Sequence, residues 1–141
     1  MSEDAGVRGV VLAHGAMASG MVDGVRRISG VAEEILIPVS NEGKSPEALQ
    51  AEMEEILRMG PTVLFTDLAS GSCALTARLC CRDEALRVAV IFGVNLPILL
   101  DFVFHRNLSL EEIVPRLLDK GRESLTSTPE FAPNAHRPRS G

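Results

Sequence analysis

Three short segments carry residue types suited to moving a charged group. His14 ends the apolar run Val10-Val11-Leu12-Ala13. An imidazole accepts and releases a proton or a phosphoryl group near neutral pH. Asp67 ends a second run, Thr62-Val63-Leu64-Phe65-Thr66, and opens the loop Leu68-Ala69-Ser70-Gly71-Ser72. A carboxylate there can hold one imidazole nitrogen by a hydrogen bond, which fixes the tautomer and frees the other nitrogen to attack an electrophile. The Ser70-Gly71-Ser72 turn offers two hydroxyls and backbone N–H groups at a helix start, a seat for a phosphoryl group. The third segment, Gly93-Val94-Asn95-Leu96-Pro97, also follows an apolar run. The chemistry these residues fit is phosphoryl transfer through a histidine nucleophile.

Such residues work only if something brings them together. Short apolar runs read as buried parallel strands, here Val7–Ala13, Glu34–Val39, Thr62–Thr66 and Arg87–Phe92. Between them lie helical patterns. Met17–Ile28 has apolar residues at helical spacing. Ser45 caps a helix with Pro46 at its first position, ending at Gly60-Pro61. A third helix covers Ser72–Arg82, and a fourth begins near Pro97. Ser109-Leu110-Glu111-Glu112 is a capping box that opens a last helix, which Pro115 is expected to distort. Alternating strand and helix predicts an α/β fold, an open and mainly parallel four-stranded sheet with helices on both faces. All strand ends then lie on one edge, so His14, Asp67 and the Gly93–Pro97 loop converge. From Thr126 the chain turns to Ser, Thr, Pro, Asn and Arg, giving an expected domain over 1–125 and a disordered tail over 126–141.

Composition narrows the partners. The 141 residues are 45% hydrophobic and 23% charged, with a formal net charge of −5. No Lys/Arg stripe is present to neutralise phosphates, so nucleic acid is not expected as a partner. The longest apolar stretch, Val88–Leu100, is interrupted by Gly93, Asn95 and Pro97 and is too short to span a bilayer. The acidic start Met1-Ser2-Glu3-Asp4 lacks a signal-peptide pattern, and the expected location is the cytoplasm. Cys73, Cys80 and Cys81 have neither disulfide-framework nor zinc-knuckle spacing and read as small apolar side chains; no metal and no cofactor is expected. His105 and His136 do not join a metal-ligand pattern.

Taken together, Ala13-His14-Gly15, Phe65-Thr66-Asp67-Leu68-Ala69-Ser70-Gly71-Ser72-Cys73 and Gly93-Val94-Asn95-Leu96-Pro97 resemble the mannose-type enzyme IIA (EIIA-Man) family of the bacterial phosphoenolpyruvate-dependent sugar phosphotransferase system. The resemblance covers about Val7 to Leu125. It implies a phosphotransferase with a phosphohistidine intermediate at His14. The phosphoryl group would come from the histidine-containing phosphocarrier protein (HPr) and pass to a IIB domain. Asp67 would orient His14, leaving Nε2 to carry the phosphoryl group. Ser70, Gly71 and Ser72 would bind its oxygens. The resemblance further implies a homodimer that exchanges an antiparallel C-terminal strand, here Gly121–Leu125, and membrane association only indirectly through permease components. No IIB domain follows, which gives the expectation of a stand-alone subunit.

This chain departs from the family pattern at several places. Ser70 replaces the first of a frequent Gly-Gly pair, Leu68 and Ala69 follow the aspartate, and Cys73-Ala74-Leu75 replaces a frequent Pro-Phe-Asn. These changes leave the phosphohistidine chemistry intact and alter the partner surface. Two alternatives share the chemistry: a regulatory phosphoprotein that senses phosphotransferase-system state, and the phosphoryl donor of a dihydroxyacetone kinase. A third is a serine hydrolase using Ser72 with His14 as base, although Ser70-Gly71-Ser72-Cys73-Ala74 lacks the second glycine of a G-x-S-x-G elbow.

Overall fold

Each apolar run forms a strand, and the strands assemble in the order that makes a crevice at their ends. The computed structural model describes residues 6–30 and 33–133. In it β1 (Arg8–Ala13), β2 (Leu36–Ser40), β3 (Thr62–Thr66) and β4 (Val88–Phe92) alternate with α1 (Met17–Ser29), α2 (Pro46–Leu57) and α3 (Ser72–Cys81). Two further helices, α4 (Leu96–Val103) and α5 (Leu110–Glu123), follow β4. The sheet order is β2-β1-β3-β4, with every pair parallel. From β1 the chain first builds outward to β2, then crosses back to place β3 on the other side of β1. That reversal is a topological switch point, where successive crossovers take opposite faces and leave a gap beyond the carboxyl ends of the two central strands.

Side-chain alternation divides the core in two. Val11, Phe65 and Ile91 face the layer formed by α1, α4 and α5. Val10, Leu12 and Leu64 face α2 and α3. A sheet buried on both faces needs apolar residues at odd and even positions alike, which is why the strands read as continuous apolar runs. Pro38 is tolerated in β2 because that strand is an edge, where a missing N–H leaves no broken ladder. Phe65 and Phe102 meet edge to face, with ring centroids 5.4 Å apart. Gly9 makes room for this contact: a Cβ there would lie 2.7 Å from the Phe102 ring and 2.9 Å from Leu36 Cδ1.

The helix ends follow their sequence signals. The Ser45 side chain accepts from the Ala48 N–H at the start of α2, and Ser109 and Glu112 form the reciprocal capping box of α5. Pro115 lies inside α5, which is continuous from Leu110 to Glu123. The carbonyl four residues earlier belongs to Glu111, an exposed residue, so water can replace the missing donor. The segment expected as an exchanged strand, Gly121–Leu125, instead completes α5 and its C-cap. Gly121 serves close helix packing: a Cβ would fall 2.6 Å from Ile98 Cδ1 of α4. Residues 126–133 carry no helix or strand, and the rest of the expected tail, 134–141, lies outside the described residues. Cys73 and Cys80 are buried as expected, whereas Cys81 faces solvent. No helix among the described residues is long and apolar enough to cross a membrane.

Because Gly9 is hemmed in by Phe102 and Leu36, Gly9→Ala is expected to cost about 1–3 kcal/mol by overpacking. Thermal unfolding should show a lower Tm, and the penalty should shrink in a Phe102→Leu background. Equal penalties in the two backgrounds would refute the close-approach account.

Candidate functional site

The switch point brings together the two residues that the strand ends deliver. β1 stops at Ala13 and β3 at Thr66, so His14 and Asp67 emerge side by side. Asp67 Oδ2 accepts two hydrogen bonds from one residue: the His14 backbone N–H at 3.0 Å and the His14 ring at Nδ1, 2.8 Å away. Asp67 Oδ1 accepts the Leu68 N–H at 2.9 Å. The carboxylate side chain is only 7% exposed, against 38% for the imidazole.

Burial pushes the Asp67 carboxyl up, but the hydrogen bonds from the His14 backbone and ring, with the ring's charge, together outweigh it and hold the group below its ordinary value of 3.8. The carboxylate is therefore ionised at neutral pH and can only accept. In the neutral ring Nδ1 must then carry the proton, and Nε2 keeps its lone pair.

Nε2 points at the start of α3. Gly71 sits in left-handed backbone, φ +96°, and a Cβ there would lie 3.6 Å from His14 Cε1 and 3.7 Å from Nε2. A side chain at this position would combine backbone strain with crowding of the ring. Gly71 also leaves the N-terminus of α3 without a side-chain cap, and Ala16 does the same for α1, which begins three residues after His14. α2, α4 and α5, by contrast, are capped by Ser45, Asn95 and Ser109. Two helix N-termini without side-chain caps thus start close to His14, each with a partial positive charge, and at α1 the Met17 N–H donates to His14 O. That environment suits an anion.

The neighbouring loops fix this arrangement. Gly93 and Val94 both donate their N–H to Thr66 O at 2.9 Å, and Thr66 Oγ1 donates to Leu68 O, so the end of β3 is clamped on both sides. The expected third loop therefore supports Asp67, while its Asn95 caps α4 and reaches Ser124 on α5. Arg78 Nη2 pins Ala69 O at 2.8 Å. Ser70 is exposed in this loop, and Ser72, also exposed, opens α3.

One residue escaped the sequence reading. Asn41, just after β2, accepts the Gly15 N–H at Oδ1 (3.3 Å) and donates from Nδ2 to Ser72 Oγ (3.2 Å). It bridges the His14 turn to α3. The available signal was its position at the carboxyl end of a strand beside β1. The Ser72 hydroxyl partner described here is Asn41 rather than His14, an arrangement that does not favour the hydrolase alternative. Cys73 is buried beside Asp67; burial first, and then the Asp67 charge, push its thiol up to about 11, so it is no nucleophile at neutral pH.

Residues 9–117 match the protein family EIIA-man, described as "PTS system fructose IIA component". The chain belongs to this family. No curated protein matches it by sequence. Solved structures of EIIA proteins share the fold. One is the phosphotransferase system component EIIA from Streptococcus agalactiae, with TM-score 0.79 and 18% identity, covering 86% of this chain and 96% of that one. Another is the mannose/sorbose specific IIA subunit from Enterococcus faecalis, with TM-score 0.76 and 19% identity over 90% of this chain and 99% of that one. A third is the IIA protein associated with the fucose utilization operon of Streptococcus pneumoniae, with TM-score 0.72 and 20% identity over 86% and 93%. The parallel four-stranded sheet expected from the sequence is thus the EIIA-Man fold, and the chain is a IIA-type component of the phosphotransferase system.

In this EIIA protein the Asp67 carboxyl has a folded-state value below the unfolded 3.8. Its contribution to stability is present in full above that unfolded value and is lost as pH falls through the lower folded value. Asp67→Asn should therefore be less stable than the parent by about 1 kcal/mol at pH 7. The gap should close in strong acid, as measured by denaturant unfolding across pH. A gap that does not change with pH would contradict an ionised Asp67.

Proposed function

We propose that His14 is the phosphorylated residue of this IIA protein, taking a phosphoryl group from HPr and passing it to a IIB domain in the cytoplasm. The observation that carries this reading is the short Asp67 Oδ2–His14 Nδ1 contact, with Nε2 left facing the open start of α3. The Nε2 lone pair forms the new P–N bond as the P–N bond of the donor phosphohistidine breaks, and the donor nitrogen recovers its electron pair. Once Nε2 is bonded to phosphorus, the ring with its proton on Nδ1 is imidazolium-like. Asp67 lies where that charge develops. The phosphoryl oxygens are received by the Gly71 and Ser72 region, with Ser70 and Ser72 as hydroxyl donors and the α1 and α3 N-termini supplying N–H groups.

The transfer itself asks for nothing beyond the chain and its donor. A partner would approach the exposed edge of His14; Leu68, in the loop after Asp67, and Leu75, on α3, are also exposed.

Incubation with phosphoenolpyruvate, enzyme I and HPr is expected to place one acid-labile phosphoryl group on the protein. His14→Ala should carry none. Asp67→Ala should still fold but accept the group at least about 10-fold more slowly, because an orienting carboxylate on a nucleophile-activating histidine is worth up to ~10^4 in rate. Label that resists acid, or that persists in His14→Ala, rules the assignment out.

A further inference from the structure

We propose that His14, Asp67 and Cys73 form a binding site for a thiophilic divalent cation, best matched by Zn2+, whose occupancy takes His14 out of phosphoryl transfer. The site is a property of the folded chain; the competition rests on the phosphoryl-carrier reading above.

The three side chains each offer one ligand atom, and these atoms lie within 4.8 Å of one another. No linear motif announces them, because His14 and Asp67 are 53 residues apart in sequence. The donor set is one imidazole nitrogen, one carboxylate oxygen and one sulfur. With Zn–N and Zn–O bonds of about 2.0–2.2 Å and Zn–S of about 2.3 Å, tetrahedral binding places donors roughly 3.3–3.6 Å apart. The 2.8 Å between His14 Nδ1 and Asp67 Oδ2 opens to that spacing when Nδ1 ligates, and the wider separations within the cluster close to it. Mg2+ and Ca2+ ask for six or more oxygens and gain little from nitrogen and sulfur, so the set selects against them.

The surroundings favour a held ion. Asp67 Oδ1 is already fixed by the Leu68 N–H, which orients the carboxylate, while Oδ2, which accepts the His14 backbone N–H and ring, exchanges the ring bond for the metal. Cys73 is fully buried and Asp67 nearly so, whereas His14 is 38% exposed and forms the mouth through which an ion enters. Three protein bonds leave a fourth position for water. Neither Cys80 nor Cys81 belongs to this cluster of ligand atoms.

The consequences for His14 follow from proton accounting. Binding displaces the proton of the Cys73 thiol to solvent. If Nδ1 is the metal ligand, its proton moves to Nε2, which then has no lone pair for phosphorus. If Nε2 is the ligand, the lone pair itself lies in the metal bond. Either way the nucleophile is gone, so an ion held in the site blocks phosphorylation of Nε2.

Titration of the metal-free protein with Co2+ tests the site without any phosphoryl chemistry. One equivalent should produce a thiolate-to-cobalt charge-transfer band and intense tetrahedral visible bands, both erased by added Zn2+. Cys73→Ala should lose the charge-transfer band. Its Zn2+ affinity should fall by more than about 100-fold, since loss of groups that merely orient a ligand already costs 10–100-fold. Cys73→Ser, close in size, checks that packing is not the cause, and circular dichroism verifies both folds. Cys81→Ala should keep the band. An absent band in the parent protein, or one that survives in Cys73→Ala, overturns the proposal.

In the phosphorylation assay, stoichiometric Zn2+ should suppress labelling of the parent protein and leave Cys73→Ala at its own metal-free level. Equal suppression of both, or of neither, removes the competition. A protein never labelled even without metal defeats the phosphoryl reading alone, and the cobalt titration still decides the site.

Discussion

The His14–Asp67 contact is the constraint on which the site depends. A single carboxylate oxygen receives both the backbone N–H and the ring nitrogen of the same histidine. This joins the ends of β1 and β3 across the switch point. Burial alone would neutralise a carboxyl group there. The two donors from His14 keep it charged, and the charged carboxylate in turn fixes where the ring proton sits. Neither residue has its functional state without the other. The position of Nε2, and hence the electrophile it can meet, follows from the same bond.

A bond of this kind is useful only if the strand ends do not drift, and the surrounding structure supplies that rigidity. The sheet is packed on both faces by separate apolar layers, so β1 and β3 cannot twist independently. Gly9 allows Phe102 close enough to meet Phe65, the residue two before Asp67 on β3. The Gly93 and Val94 amides hold Thr66 O from the β4 side, and Asn41 ties the Gly15 turn to α3 from the β2 side. All four strand ends thus contribute to one constellation, with the His14–Asp67 contact at its centre.

Much of this was legible in the chain. Apolar runs bounded by Gly, Pro and polar residues located the strands to within a residue or two. β2 was the least exact: Glu33–Ile35 forms a short 3-10 turn where a strand was expected to begin. The convergence of His14 and Asp67 followed from the parallel topology, because such sheets gather their strand ends on one edge. Interactions set by distance rather than by type were not legible. Asn41 looked like an ordinary turn residue. Cys73 looked like helix packing, and only the fold puts its sulfur beside two polar ligands. Gly121, which the resemblance placed at the start of a strand, instead lets two helices touch at Ile98.

The exposure of His14 reconciles two opposing demands. Deeper burial would strengthen the Asp67 hydrogen bond and the pull of the α1 and α3 N-termini, since screening by water would fall. It would also close the ring to any protein-bound donor or acceptor. The observed division puts the carboxylate inside and the nucleophilic edge outside. The strong electrostatic partner is therefore sheltered while the atom that must be reached stays open. The exposed Leu68 and Leu75 lie in the adjoining loop and on α3, where a docking protein would complete the exclusion of water for the duration of transfer. On the relay reading proposed above, a phosphoryl group on Nε2 would sit in a half-built site that a docking partner completes, and the residues that hold it would carry no information about anything beyond that partner.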